Sequence, residues 1–313
     1  VRKSSTASGI RTVEVKKMSD IKPMLAASEC VGPMTCKLPA WFSLKYDGIR
    51  CLIVEGEPRT RALKPVPNRH IDRMLRQYAV KYPLDGELFV LGENGRPDFR
   101  RTTSAVMSED GEPDFRFGVF DWVPILSNVT YRERYDTLRR ACDRLPGFVQ
   151  LVDQIELHQP HAVEKMYLDA LQDGYEGLIG RDPESLYKFG RATLREGSLF
   201  KIKPREDDEA VVVEVIQQMH NTNQAKKNEL GRTKRSSAKA GKVPMEMAGA
   251  LRVEWRGMQF EIGTGFTDAE KKSYWARRNE LVGKKVVFSY QIGSGYDAPR
   301  SASFKGFRDE RDL

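Results

Sequence analysis

Ser43 to Arg50 reads SLKYDGIR, and the assignment of the fold turns on this stretch. A lysine in an apolar-flanked run is followed at once by a carboxylate, a glycine and an arginine, a dense local charge for a strand and the turn after it. Two readings are open at this point. The bland one is an ordinary strand-to-turn passage with solvated ends. The functional one makes Lys45 a nucleophile, because an amine that sheds its proton can bond to an activated phosphorus or carbonyl carbon, helped by cationic or desolvating surroundings. The rest of the chain decides between them.

With 313 residues the chain has room for two domains or one large one, each with a real core. Hydrophobic residues make up 40% and charged residues 31%, the balance of a soluble globular protein. The 52 lysines and arginines exceed the 44 acids by eight, which permits a polyanionic partner without requiring one; solubility explains the same surplus. Cys30, Cys36, Cys51 and Cys142 form no CxxC pair, and His70, His158, His161 and His220 do not cluster with them. That pattern argues against a zinc module or a disulfide scaffold and fits a reducing compartment. No run approaches the length of a membrane span. The first 20 residues are basic and polar without an apolar core, so a loose arm is expected there rather than a secretory signal.

From Ile21 the composition turns globular. One or two strands are expected around Lys45, with Cys51, Ile53 and Glu55 alternating against Leu52 and Val54. Arg59, Arg61 and Lys64 crowd a turn, and Asn68 is placed to cap a helix from about Arg69 to Tyr82 whose apolar face is Ile71, Met74, Leu75 and Tyr78. A strand follows over Leu84–Val90 with Asp85 and Glu87 at its start, then an aromatic strand from Phe115 to Trp122. YRERYDTLRRACDRL reads as a helix, VQLVDQIEL as a strand, and HAVEKMYLDALQDG as a helix closed by Gly174. YEGLIGRD is again a strand, with Glu176 near its beginning. In LFKIK, Lys201 and Lys203 alternate with Phe200 and Ile202, so a strand would send both lysines to one face. Pro204 and the charged run Arg205–Glu209 read as an exposed linker at a domain boundary.

The second region is strand-rich, interrupted by one helix that begins at Thr267, with Glu270 placed for a capping box. Short strands plus one helix suit a small Greek-key barrel of the OB type, and a small β-sandwich fits the same pattern. Between the first strands, residues 226–242 carry seven basic residues (Lys226, Lys227, Arg232, Lys234, Arg235, Lys239 and Lys242) against one acid. Such a stretch reads as a loop that builds no core and is suited to gripping phosphates.

Assembled, one domain sets Lys45, Arg50, Lys201 and Lys203 beside the carboxylates Glu87 and Glu176. Basic groups can neutralise a triphosphate while carboxylates hold a magnesium ion that bridges phosphate oxygens. A lysine attacking the α-phosphorus of a nucleotide needs this combination, together with an aromatic ring to stack on the base.

KYDGIR resembles the K-x-D-G-x-R signature of covalent nucleotidyltransferases, and LDGEL, FGVFD, YEGLIGR and LFKIK resemble that superfamily's later motifs in the same order. With PMLA near its start, the chain resembles over residues 21–310 an ATP-dependent DNA ligase of the short, two-domain phage type. The resemblance implies an α+β fold: an adenylation domain of antiparallel sheets and helices over 21–206, behind the arm 1–20, and a small OB-fold β-barrel domain over 207–313. It implies catalysis by Lys45, Lys201 and Lys203. It implies a nucleotide site of Leu44, Lys45, Arg50, Arg61, Glu87, Phe120 (preferred over Phe117 as the base-stacking ring), Lys201 and Lys203. Arg300, Lys305 and Arg308 of the C-terminal segment would help expel pyrophosphate. Magnesium, replaceable by manganese, would sit on Glu176 assisted by Glu87 or Asp47. Lys64, Lys188 and the basic residues of 226–242 would contact nicked duplex DNA. The implied protein is a zinc-free cytoplasmic monomer, in a bacterium or a phage-infected host, that seals nicks in replication, repair or recombination. An RNA ligase or a GTP-using mRNA capping enzyme of the same superfamily is the alternative.

Overall fold

The computed structural model describes residues 21–78, 81–124, 128–291 and 299–308, so the expected arm over 1–20 lies outside the described residues. The chain divides into two compact units, with the break after Ile202.

In the first unit SLKYDGIR straddles two sheets. β1 (Ala40–Leu44) ends just before Lys45, and β2 (Ile49–Val54) begins just after Gly48. β2 belongs to a five-stranded sheet with β3 (Glu57–Thr60), β4 (Leu84–Val90), β5 (Phe115–Trp122) and β6 (Val149–Leu151), in the order β3-β2-β4-β5-β6. β1 belongs to a four-stranded sheet with β7 (Ile155–Leu157), β8 (Leu178–Arg181) and β9 (Leu199–Ile202), in the order β7-β1-β8-β9. β5 and β6 pair in parallel, while the other strand pairs of both sheets are antiparallel.

Within β2 the expected alternation of faces holds although Cys51, Leu52 and Ile53 are all buried, and it stops before Glu55, which lies past the strand at φ +52°. Cys51 and Ile53 face the main core, and Leu52 packs with Ile21 and Val123 on the other face, so the sheet is covered on both sides. VQLVDQIEL, expected as one strand, splits into β6 and β7, which join different sheets. Local sequence pattern does not report which sheet a strand joins.

The helices follow their caps. α1 (Arg69–Tyr78) starts where the Asn68 side-chain oxygen accepts from the Ile71 N–H at 2.9 Å, and it buries Ile71 and Leu75. It stops short of Tyr82, which lies in a turn, and Tyr78 is left 43% exposed. α2 (Phe99–Met107), unforeseen in the sequence, lacks a continuous apolar stripe but is capped by Asp98, which accepts from the Arg101 N–H at 2.9 Å. α3 (Tyr131–Cys142) opens with a Thr130–Glu133 capping box, and α4 (Pro160–Gln172) is followed by Gly174 at φ +80°.

The two sheets of this unit are joined by buried charge. Asp121 of β5 is fully buried and accepts from Arg134 Nε of α3 at 2.7 Å and from Nη1 of Arg181 on β8. Burial works against ionising Asp121, and the two guanidiniums more than offset it, holding its carboxyl below the usual range.

In the second unit β10 (Glu206–Asn221) is the central strand of a five-stranded antiparallel sheet. Its order is β14-β13-β10-β15-β16, with β13 (Lys242–Trp255), β14 (Met258–Ile262), β15 (Lys285–Gln291) and β16 (Arg300–Phe307). α5 (Asp268–Ala276) carries the expected Thr267–Glu270 capping box, and a short α6 (Arg278–Leu281) follows. Leu251, Val253, Ile262, Val286, Phe288 and Phe304 form the core.

Three expectations need correction here. The run Arg205–Glu209 is no linker: Glu206–Glu209 open β10 and pair with Val287–Tyr290 of β15, with Glu206 and Asp207 exposed and Asp208 and Glu209 half-buried. β10 and β13 are long, 16 and 14 residues, rather than short. Residues 226–242 are not a structureless loop, for β11 (Ala225–Lys227) and β12 (Thr233–Arg235) form a hairpin between β10 and β13.

Removing one guanidinium from the buried cluster leaves Asp121 with one cation and vacates a filled site. Arg134→Ala should lower the stability of the full chain by about 3 kcal/mol, whereas truncating the exposed Leu168 should cost no more than about 0.5 kcal/mol. Urea unfolding followed by circular dichroism measures both.

Candidate active site

Lys45 is fixed by the ladder that continues β1 into β8. Its N–H donates to the Gly177 carbonyl at 2.8 Å, and the Glu176 N–H donates back to the Lys45 carbonyl at 3.0 Å. Leu44 lies opposite Leu178, which in turn lies opposite Ile202, so the ends of β1, β8 and β9 come level. This brings the Lys45 amine onto the Glu176 carboxylate in a direct ion pair, with side chains 23% and 14% exposed. The low exposure matters because it leaves the pair largely out of solvent screening while still reachable. One strand further on, Lys201 lies opposite Ile179 and donates to the Ser28 carbonyl at 2.7 Å.

The chain then crosses to the other sheet through Asp47 and Gly48. A Cβ at Gly48 would come within 2.3 Å of the Leu88 carbonyl oxygen and 2.8 Å of Glu87 Cγ, so no other residue fits this crossing without displacing β4. Immediately beyond, Arg50 is directly opposite Glu87 in the β2–β4 register.

Arg50 forks onto the fully buried Asp85, with Nε donating at 2.5 Å and Nη2 at 2.7 Å, and Nη2 also donates to the Met24 carbonyl at 3.1 Å. The Tyr187 hydroxyl donates to the same Asp85 carboxylate at 3.0 Å and accepts from the Met24 N–H at 3.0 Å. The guanidinium lies over the Phe120 ring, 4.4 Å from its centre. Asp85 pairs with Asp121 but Gly86 with Val119, so Phe120 is the extra residue of a β-bulge, which turns its ring out of the regular alternation. Phe117, the other candidate ring, is fully buried in the main core. Asp85 and Tyr187 were missed in the sequence. A strand carboxylate two residues before Glu87 was visible, yet the partner that makes it indispensable sits 35 residues away.

Burial pushes the Glu87 carboxyl up to about 7; Arg50 and Lys45 pull against that rise, while Glu176 and Asp85 add to it. Glu87 and Glu176 therefore feel each other. Among the described residues no three His, Cys, Asp or Glu side chains gather as a metal cage, so Asp47, Glu87 and Glu176 make no closed set. Two mutually repelling carboxylates are nevertheless a fit for magnesium, which takes one or two carboxylates and fills its remaining positions with phosphate oxygens and water.

The remaining predicted residues lie on other elements of the two units. Arg61 and Lys64 are exposed in the turn after β3, where the Thr60 N–H donates to the Lys64 carbonyl at 2.8 Å. Lys188 pairs with Glu196 at 2.5 Å. Lys203 follows β9 and is the first residue of the second unit, so the strand that would align it with Lys201 has already ended. In that unit Arg300 opens β16, Lys305 is exposed on it, and Arg308 beyond it pairs with Glu209. Lys226 lies directly opposite Lys234 on the hairpin, and Lys227, Arg232, Arg235, Lys239 and Lys242 are also exposed. Like charges facing each other across strands repel, and a bound polyanion relieves that repulsion.

Because the folded state holds the Glu87 proton more tightly than the unfolded chain, its contribution to stability is present below the ordinary carboxylate pKa. That contribution is lost as pH rises toward about 7. Glu87→Gln should flatten this decline and leave the variant more stable than the parent by about 2 kcal/mol at pH 8, measured by urea unfolding across pH 4 to 8.

Comparison with known proteins bears on the two domains. Residues 23–203 match the model of the ATP dependent DNA ligase domain, and residues 241–308 match that of the DNA ligase OB-like domain. A probable DNA ligase of Streptomyces griseus subsp. griseus is 30% identical over 218 residues, 62% of this chain and 42% of that protein. A DNA ligase of Thermococcus onnurineus is 26% identical over 232 residues, 66% of this chain and 40% of that protein. The chain thus spans about two fifths of the length of these curated relatives. Among solved structures, the Chlorella virus DNA ligase-adenylate is 27% identical with a TM-score of 0.52, over 93% of this chain and 99% of that one. A Lig E DNA ligase is 26% identical with a TM-score of 0.69, over 92% of this chain and 100% of that one. With more than half of its length matched by the ligase domain model and an OB-like domain behind it, this chain belongs to the ATP-dependent DNA ligase family.

Proposed function

We propose that the chain seals nicks in duplex DNA with ATP, through AMP carried on Lys45. The observation that carries this reading is the Lys45–Glu176 pair at the level ends of β1, β8 and β9, facing Glu87 and Arg50 on the other sheet. Adenine stacks on the exposed side of Phe120, whose ring is braced by Arg50, and Glu87 faces the ribose beside Arg50. Lys45 Nζ attacks the α-phosphorus, the bond to the pyrophosphate oxygen breaks, and the amine gives up a proton. Lys201 and Lys203 offset the charge on the α-phosphate. An oxygen of the DNA 5′-phosphate then displaces the lysine, which regains its proton, and the 3′-hydroxyl displaces AMP to close the strand. Magnesium on Glu176 and Glu87, or manganese in its place, supplies charge neutralisation to these phosphates when bound.

Arg61 is assigned to the phosphate of AMP or of the nick, and Arg300, Lys305 and Arg308 to the departing pyrophosphate, for which Arg308 must leave Glu209. Lys64, Lys188 and the hairpin 226–242 are assigned to the DNA backbone. The domain roles follow as an adenylation domain in the first unit, up to Ile202, and an OB domain in the second, from Lys203, a break slightly earlier than the expected one at 206/207. Four free cysteines fit work in a reducing cytoplasm, and no helix among the described residues is long and apolar enough to cross a membrane. We take the working form to be a monomer without zinc. An RNA ligase or a GTP-using capping enzyme gains no support from the domain matches of this chain or from these relatives, which are named DNA ligases.

Sealing of a nicked duplex with ATP and magnesium tests the reading: the parent joins the strands and Lys45→Ala does not, with GTP failing to replace ATP. Neutralising Lys234, Arg235 and Lys239 to glutamine should weaken binding of nicked DNA and reduce the slope of log affinity against log salt by up to about 3. Formation of lysyl-AMP should stay near the parent rate in that variant, read by labelled AMP retained on the protein.

A further inference from the structure

Tyr46 sits between the proposed nucleophile and Asp47, and its ring is used by neither sheet's regular packing. It stacks on Phe89 of β4, with ring centres 4.8 Å apart and planes 28° apart, and it meets Tyr175 edge-on at 5.2 Å. Phe89 is buried at 3% and belongs to the five-stranded sheet; Tyr175 immediately precedes Glu176 at the entry to β8 of the four-stranded sheet. The Tyr175 N–H donates to the Ala170 carbonyl at 2.9 Å, which anchors that residue to the end of α4. Three rings therefore span both sheets directly behind Lys45 and Glu176. Burial, followed by the neighbouring Tyr175 and Asp153, pushes the Tyr46 hydroxyl up to about 12, so the ring stays neutral in this setting.

We propose that Tyr46 and Tyr175, locked together with Phe89, are positioning residues that hold Lys45 against Glu176 in the geometry for attack on the α-phosphorus. Each ring is one residue from a member of the pair, Tyr46 from Lys45 and Tyr175 from Glu176, and the backbone between them is tied by the two hydrogen bonds of the Lys45–Gly177 ladder. Fixing both rings fixes the relative position of amine and carboxylate. Displacing a nucleophile by about 1 Å is enough to slow attack by about a hundredfold. The Tyr46 side chain also hydrogen-bonds that of Tyr175, while the stack on Phe89 needs only the ring face.

This inference rests on the reading of Lys45 as the AMP carrier, and the test separates the two. Lysyl-AMP formation is measured with labelled ATP over a range of concentrations for the parent, Lys45→Ala, Tyr46→Ala, Tyr46→Phe and Tyr175→Ala. Sealing of a pre-adenylated nick without ATP, which needs no attack by Lys45, is measured in parallel. Tyr46→Ala and Tyr175→Ala should each lower the saturating rate of lysyl-AMP formation by about thirtyfold or more, with the KM for ATP within about threefold of the parent. Tyr46→Phe should restore the rate to within about threefold, and all of the tyrosine variants should seal the pre-adenylated nick at near the parent rate. That last measurement also shows that each variant is folded. Equal loss of both reactions, or parent-like lysyl-AMP formation in both alanine variants, overturns the positioning role while Lys45→Ala stays inactive. AMP retained by Lys45→Ala overturns the underlying reading and the positioning role with it.

Discussion

The passage from Lys45 to Gly48 carries the chain from one sheet to the other, and at Gly48 there is no space for a Cβ against Leu88 and Glu87. This constraint holds the crossing tight against β4 at the point where the candidate site lies. Lys45 is consequently delivered by the four-stranded sheet and Arg50 by the five-stranded one, only five residues apart in sequence. The charged groups on either side are thus placed by the backbone, and fixed groups are what lets electrostatic stabilisation contribute without reorganisation.

Around this crossing the unit uses buried charge sparingly and in closed sets. Asp85 is satisfied by Arg50 and Tyr187, and Asp121 by Arg134 and Arg181. Such sets cost desolvation, so their value lies in geometry more than in net stability. Arg50 illustrates the point: its fork is taken by Asp85 and the Met24 carbonyl, and the flat guanidinium is thereby pinned on Phe120. Glu87 is the exception, a carboxylate with no such set. Burial pushes its carboxyl up to about 7, against the pull of Arg50 and Lys45.

Much of this was legible in the sequence, because the motifs are local. Lys45, Glu87, Glu176 and Lys201 each stand in or beside a short strand that apolar spacing announces, and Thr130 and Thr267 announce helix starts through their capping boxes. What was illegible depends on long-range pairing. Asp85 gives no sign that it will be buried under Arg50, since strand alternation cannot say that both faces of β4 are covered. The acids of 206–209 read as a linker because charge there signals exposure, yet they open a paired strand in which Asp208 and Glu209 are half-buried. The basic stretch 226–242 read as a loop because its cross-strand pairing sets lysine against lysine, a register that local chemistry disfavours.

The central claim is that one amine, at the crossing between the sheets, carries the nucleotide. Incubating the full chain with ATP and magnesium in the absence of DNA, then digesting it and mapping the adduct by tandem mass spectrometry, tests it most directly. The account predicts AMP on the peptide containing Lys45 and on that lysine alone. AMP on Lys201, Lys203 or any other residue, or no adduct at all, would contradict it.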